Sequence, residues 1–244
     1  MSVWIGPAVA ITLTGPDDRT NIQDLLDLAR EYDHAEFGIL FSTTRTGTPR
    51  YPSAEWVKKL TEADVEFVHL SAHFCGQYAR DTLAGDFRWV ESLPKQFKRI
   101  QLNGFDPFNQ SHAVNVVRMA KSYPFTVILQ ARNEKALIES ARIASTVDFR
   151  EGRLVVLYDP SGGKGLEPQA WPQSPTGATI GFAGGINPNN VREILKALGD
   201  RPSFWIDMES GIRTDEVFDF AKCRQVLAAQ VEHWDNGWRT SNGK

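Results

Sequence analysis

Eight short apolar runs recur along the chain, with amphipathic stretches between them. The runs are Ala8–Leu13, Glu36–Phe41, Val65–Ser71, Arg99–Asn103, Phe125–Gln130, Leu154–Asp159, Thr179–Ala183 and Phe204–Met208. Each is rich in Val, Ile, Leu or Phe and bounded by turn residues or charges, which is the pattern of parallel strands buried on both faces. Helical spacing fills the intervals Asn21–Tyr32, Ser53–Ala63, Ser111–Lys121, Asn133–Ala144, Asn189–Leu198 and Asp215–His233. Ser53 is a good N-cap for the second of these. Arg80–Pro94 is less regular, with Phe87, Trp89, Val90 and Leu93 as its apolar positions. Eight strands alternating with helices predict a single (β/α)8 TIM barrel over residues 1–234, followed by a polar tail over 235–244. An open doubly wound sheet is the competing architecture, and the count of eight favours the barrel.

Composition narrows the setting. A chain of 244 residues fits one barrel, since such domains run to about 250 residues. Apolar residues at 41% and charged residues at 23% belong to an ordinary globular protein and exclude a disordered or collagen-like chain. A net charge of −3 offers no broad attraction to nucleic acid or to an anionic membrane. No apolar run approaches the roughly 18 residues of a membrane helix, and Val3–Leu13 reads as a buried strand rather than a signal peptide. Two cysteines, Cys75 and Cys223, argue against a disulfide scaffold, so a reducing, cytoplasmic setting is expected. Of the seven tryptophans, Trp56, Trp89 and Trp205 read as core, while Trp234 and Trp238 are candidates for covering a partner in a homodimer.

In a barrel, chemistry collects at the C-terminal ends of the strands. The seventh strand runs into Gly184-Gly185-Ile186-Asn187-Pro188-Asn189, and the eighth into Asp207-Met208-Glu209-Ser210-Gly211. Small-residue turns at these two places are the usual phosphate site of the fold, although each alone can be a tight turn and no more. Asn187 or Asn189 can cap the helix that follows. The sixth strand ends at Asp159 before Ser161-Gly162-Gly163-Lys164-Gly165. Asp159 is a candidate acid or base in the mouth, or a brace for the glycine loop; Lys164 can add charge near a phosphate or simply be solvated. Arg50, just before a helix start, can clamp a carboxylate in two-point fashion or lie on the surface.

These segments together resemble the phosphoribosylanthranilate isomerase family. The resemblance is carried by Thr48-Pro49-Arg50-Tyr51-Pro52-Ser53, Ile100-Gln101-Leu102-Asn103-Gly104, Asp159 to Gly165, Ala183 to Val191, and Asp207 to Ile212, in the family's order. It implies a barrel of tryptophan biosynthesis that performs an Amadori rearrangement of a small phosphorylated substrate by proton transfers, with no cofactor or metal. It further implies Asp159 as general acid, Arg50 as carboxylate clamp, Gly163, Gly184, Gly185, Ser210 and Gly211 as phosphate loops, and Asp207 near the ligand. Asn103 stands where the family has histidine.

One family feature is missing. The general base is a cysteine at the end of the first strand; here Ile11 or, with a one-residue shift, Thr12 takes that place, and neither is a credible base. His73, just past the third predicted strand, is the favoured substitute, with Asp17 and Cys75 as further candidates and His69 as a core residue. His69 and His73 lie on one face, but a third metal ligand is not evident. Two functions follow: an isomerase of this type, or an isomerase or lyase of another sugar phosphate, and a barrel that retains ligand binding without catalysis. His73 pointing into the mouth would favour the enzyme.

Overall fold

The computed structural model describes residues 11–242 except 64, 149–152, 176–177 and 200–203, with side chains described as far as His233. Eight parallel strands close into a barrel in chain order: β1 (Ile11–Thr14), β2 (Ala35–Phe41), β3 (His69–Phe74), β4 (Phe97–Leu102), β5 (Thr126–Ala131), β6 (Arg153–Tyr158), β7 (Ile180–Ala183) and β8 (Phe204–Met208). The seam is β1 on β8, with Thr12 opposite Asp207. The eight predicted strands therefore fall in the predicted order. The Ala8–Ala10 part of the first lies outside the described residues.

The helices are α1 (Ile22–Glu31), α2 (Ala54–Glu62), α3 (Gln77–Leu83), α4 (Arg88–Glu91), α5 (Gln110–Ser122), α6 (Glu134–Ala144), α7 (Val191–Leu198) and α8 (Phe220–Asn242). A short ribbon of β9 (Arg213–Thr214) and β10 (Val217–Phe218) precedes α8. Asn21, Ser53, Asn109 and Asn133 cap their helices through side-chain oxygens that accept amide hydrogens of the first turn. Asn189 does not cap α7; that position belongs to Asn190, and Asn187 Oδ1 instead accepts the Asn189 amide at 2.9 Å. The irregular Arg80–Pro94 interval holds parts of two short helices, α3 and α4. The segment expected as a polar tail continues α8 through Asn242.

Outward side chains of the strands, such as Leu13, Phe37, Ile39, Phe74, Ile100, Leu129 and Phe182, are fully buried against the helices. The inward side chains of β1 to β4 are largely polar, while Ile128, Val155, Leu157, Ala183 and Trp205 of β5 to β8 form a small apolar cluster inside the barrel. Deep in the barrel, Glu36 accepts from Thr12 Oγ1 at 2.9 Å and from Arg99 Nη1 at 3.1 Å. The Arg99 guanidinium lies 4.4 Å from the centre of the Trp205 ring. Gly181 is obligatory beside that ring, because a Cβ there would collide with it and come within 2.8 Å of Leu157 Cδ1. This layer floors the mouth.

Candidate active site

The C-terminal mouth opens as a cavity of about 770 Å³. Thr14, His73, Gln101 and Gln130 line its depths. Asp159, Asp207 and Glu209, with Arg50, Asn103 and the loops at 161–165, 184–187 and 210–211, complete the walls.

Asp159 follows β6 and is buried. Both carboxyl oxygens are saturated: Oδ1 accepts from Ser161 Oγ at 2.7 Å and the Gly162 amide at 3.1 Å, and Oδ2 accepts from Gln130 Nε2 at 2.8 Å and the Gly163 amide at 2.9 Å. Asp159 thus braces the glycine loop while facing the cavity. Gln130 has its own Oε1 buried without a partner among the described residues.

Asp207 is the penultimate residue of β8, three strands round the barrel from Gln130 on β5. Its Oδ1 accepts the Thr14 hydroxyl at 2.7 Å. Burial pushes its carboxyl up to about 8; the Thr14 bond pulls the other way, and the charges of Asp159, Glu209 and Glu36 add to the rise. Asp207 therefore keeps its proton to higher pH than an exposed carboxyl, and it faces the same space as the hydrogen-bonded Asp159.

The structure relocates the strand-1 position. Ile11 packs in the outer hydrophobic layer and Thr12 points to Glu36 below the cavity floor. Thr14 is the residue of β1 that reaches the mouth. Gly38 on β2 makes room for it, since a Cβ there would strike Thr14 Oγ1 and lie 2.8 Å from His73 Cε1.

His73 lies within β3 rather than past it, because the strand begins four residues and ends three residues later than its apolar run suggests. The side chain faces the interior and lines the cavity, with Nε2 at 3.1 Å from Ser71 Oγ. Burial, helped by the Arg99 charge, pushes its pKa down to about 3. An imidazole that is neutral down to that pH is a poor proton acceptor, which weighs against the expected role as base.

Cys75 also lines the mouth, but burial raises its thiol, and the Asn103 amide donates to Sγ at 3.1 Å. Asn103 Oδ1 in turn accepts from Gln101 at 2.9 Å. Asp17 is a structural clamp outside the cavity. Burial alone would raise it, yet hydrogen bonds from the Arg50 amide, Arg19 and Arg213 hold it below the usual carboxylate range.

Arg50 differs most from the expectation of a free clamp. Its Nη1 donates to Glu209 Oε1 at 2.8 Å and Ser210 Oγ at 3.2 Å; its Nε and Nη2 reach the two oxygens of Glu216 at 3.1 and 3.2 Å. Sequence reasoning missed Thr14, Gln130, Glu209 and Glu216.

Gly163, Gly184, Gly185 and Gly211, expected to hold phosphate, line the cavity with Ser210 beside them. Close packing also demands some of them. A Cβ at Gly184 would lie 2.8 Å from the Leu166 carbonyl oxygen, and one at Gly185 would lie 2.5 Å from the Glu167 nitrogen. Lys164 is exposed and does not line the cavity. No cluster of three or more His, Cys, Asp or Glu suited to a metal ion occurs among the described residues. No described helix is long and apolar enough to cross a membrane.

A closed (β/α)8 barrel with three carboxyl groups and three glycine-bearing loops around its mouth has the make-up of barrel enzymes that move protons on small ligands. The model of the N-(5'-phosphoribosyl)anthranilate (PRA) isomerase family matches residues 100–229, over half the chain. The chain belongs to that family, and it is an isomerase of the phosphoribosylanthranilate isomerase type. No curated protein matches its sequence significantly. In fold it is similar to TrpF from Jonesia denitrificans, at 19% identity and TM-score 0.58, covering 91% of this chain and 96% of that one. It is similarly like the phosphoribosyl anthranilate isomerase from Thermotoga maritima, at 18% identity and TM-score 0.57, covering 91% and 98%.

Proposed function

We propose that this barrel rearranges a phosphorylated aldosylamine to the aminoketose, using Asp207 and Asp159 as its acid–base pair. The observation that carries the reading is the pair itself: two buried carboxyls lining one cavity, Asp207 pushed up to about 8 by burial and Asp159 bound by four donors. Asp207 gives its proton to the ring oxygen of the sugar. The bond from that oxygen to C1 breaks as the nitrogen lone pair forms a C=N bond. One of the four donors on Asp159 lets go, the freed carboxylate lone pair removes the C2 proton, and the C2–H electrons become a C1–C2 double bond while the iminium electrons return to nitrogen. The enol so formed loses its O–H proton, C1 gains one, and the ketone results. Substrate and product are isomers, so no oxidant or cofactor enters. The roles differ from those the resemblance implied: Asp207 takes the part expected of Asp159, and Asp159 that expected of His73.

The phosphate is read as lying against Gly163, Gly184, Gly185, Ser210 and Gly211, where backbone amides can approach it. Asn103, with Gln101 behind it, is read as a substrate contact. The cytoplasm remains the proposed setting. The test is a fluorescence assay of freshly prepared phosphoribosylanthranilate, with Asp207→Asn and Asp159→Asn beside the wild type. Turnover above the uncatalysed rate that each variant lowers by about 10²-fold or more supports the pair. Turnover indifferent to both variants defeats it.

A further inference from the structure

Three arginines line the mouth: Arg45, Arg50 and Arg132. Arg50 is turned toward the glycine loops, where it donates to Ser210 Oγ at 3.2 Å, and Glu209 and Glu216 pair with it. Arg45 donates to the Tyr51 hydroxyl at 3.2 Å, with its guanidinium 5.4 Å from the centre of that ring. Arg132, which follows β5, makes no hydrogen bond or ion pair with any described residue. Its guanidinium is nonetheless placed. It lies over Gly162, where a Cβ would stand 3.3 Å from Arg132 Cζ, and the Gly162 amide is one of the donors to Asp159. Behind Arg132 a side pocket of about 430 Å³ adjoins the mouth, with Arg132 and Asn103 in the walls of both. Arg80 and His112 also line it, and no acidic side chain does. Arg80 donates to the Gln77 side chain at 2.7 Å and has no carboxylate partner among the described residues. His112 Nδ1 accepts the Asp106 amide at 3.2 Å, so a neutral ring carries its proton on Nε2 as a further donor.

We propose that Arg132 binds the carboxylate of the substrate, in an anion subsite that it shares with Arg80 and His112. The assignment rests on the function proposed above, in which the aromatic end of phosphoribosylanthranilate carries a carboxylate and the phosphate lies on the loops after β7 and β8. In a closed barrel of eight strands taken in chain order, β3 and β4 stand opposite β7 and β8. A ligand held by its phosphate and lying across the mouth therefore brings its far end to the side of β3, β4 and β5, where the pocket opens. Arg50 is beside the phosphate loops and at the wrong end for that group. A guanidinium whose donors are all unused offers a carboxylate two parallel hydrogen bonds. Arg132 and Arg80 line one pocket with no acid between them, so a bound anion also relieves the repulsion of like charges.

The test separates binding from turnover. Two non-reacting analogues are titrated calorimetrically into the wild type, Arg132→Gln, Arg80→Gln and Arg50→Gln. Both are ribitol 5-phosphates bearing an anilino group at C1, one with an ortho-carboxylate and one without. The wild type is expected to bind the carboxylate analogue at least about tenfold more tightly than the plain one. Arg132→Gln should abolish that preference while leaving the plain analogue within about threefold. Arg132 is exposed, so its replacement spares the packed interior, and the retained affinity for the plain analogue verifies that the fold is intact. Arg80→Gln should reduce the preference by a smaller factor, and Arg50→Gln should preserve it. A preference that survives Arg132→Gln overturns the inference and leaves the proposed function standing; its loss in Arg50→Gln instead would return the carboxylate to Arg50. A wild type that binds the two analogues equally also overturns the inference alone. Failure of both analogues to bind the wild type overturns the proposed function, and this inference with it.

Discussion

The hydroxyl of Thr14 donates a 2.7 Å hydrogen bond to Oδ1 of Asp207 across the seam where β1 meets β8. A donor there favours the ionised carboxylate, against the burial that holds Asp207 up near 8. Thr14→Val keeps the shape and removes the donor. The rate limb that falls as Asp207 loses its proton should then move to higher pH, by up to about one unit for a hydrogen bond worth ~1.5 kcal/mol. The check is kcat/KM between pH 6 and pH 10 for both proteins. An unmoved limb would mean that Asp207 is not the group being titrated.

Asp159 poses a different problem for substitution. Each of its oxygens accepts two hydrogen bonds, so an asparagine in either orientation turns an NH2 toward two donors. Asp159→Asn should therefore loosen the loop at Ser161–Gly163 as well as lower turnover by about 10²-fold or more. Hydrogen exchange at the Gly162 and Gly163 amides reads the first effect separately from the second. Unchanged protection there, with activity lost, would assign Asp159 to chemistry alone.

The floor beneath these residues is a buried ion pair. Glu36→Gln strips the charge that balances Arg99 and should cost ~3–5 kcal/mol of stability, whereas Glu36→Gln with Arg99→Met should cost clearly less than the two changes summed. Arg99→Met also removes a charge that pushes His73 down, so the His73 imidazole should titrate at higher pH in that variant. Urea melts and ring-proton shifts measure the two outcomes, and additive stabilities would disprove the coupling.

The same polar interior decided what could be read from the sequence. Outward residues of every strand are apolar, so the eight runs, their order and the barrel were visible. Inward residues alternate with them, as in Arg99 and Gln101 of β4 or Ser71 and His73 of β3, and such alternation ends an apolar run early. Val65 and Val68 pack into the core from a turn before β3, which drew the predicted strand four residues upstream. The glycine turns and Asp159 were legible because their spacing is local. Glu209 and Glu216 were not, because what matters is their meeting with Arg50 from the other side of the barrel seam, more than 150 residues away in sequence. Thr14 was hidden by a choice of register: the side chain that reaches the mouth lies two or three residues beyond the candidates Thr12 and Ile11. Period-2 alternation in β1 was the signal available, and four residues of strand are too few to fix its phase.

The opposite shifts of His73 and Asp207 fix how stability should depend on pH. His73 sits at about 3 when folded and near 6.5 when unfolded, so below pH 6.5 the unfolded chain binds the extra proton and stability from this residue is lost as pH falls toward 3. Asp207 sits at about 8 when folded and near 3.8 when unfolded, so the folded state holds the extra proton and stability is lost as pH rises from about 4 through 8. Each slope is ~1.4 kcal/mol per pH unit at full effect. Between about pH 4 and 6.5 the two cancel; from 6.5 to 8 only the Asp207 loss remains, ~2 kcal/mol in all. Relative to the wild type, Asp207→Asn should flatten the upper window, and His73→Asn should extend the decline down to about pH 4. Urea unfolding at half-unit pH steps gives the three curves. A His73→Asn curve parallel to the wild type between pH 4 and 6.5 would show that the imidazole is not held neutral, and would return it to consideration as the base.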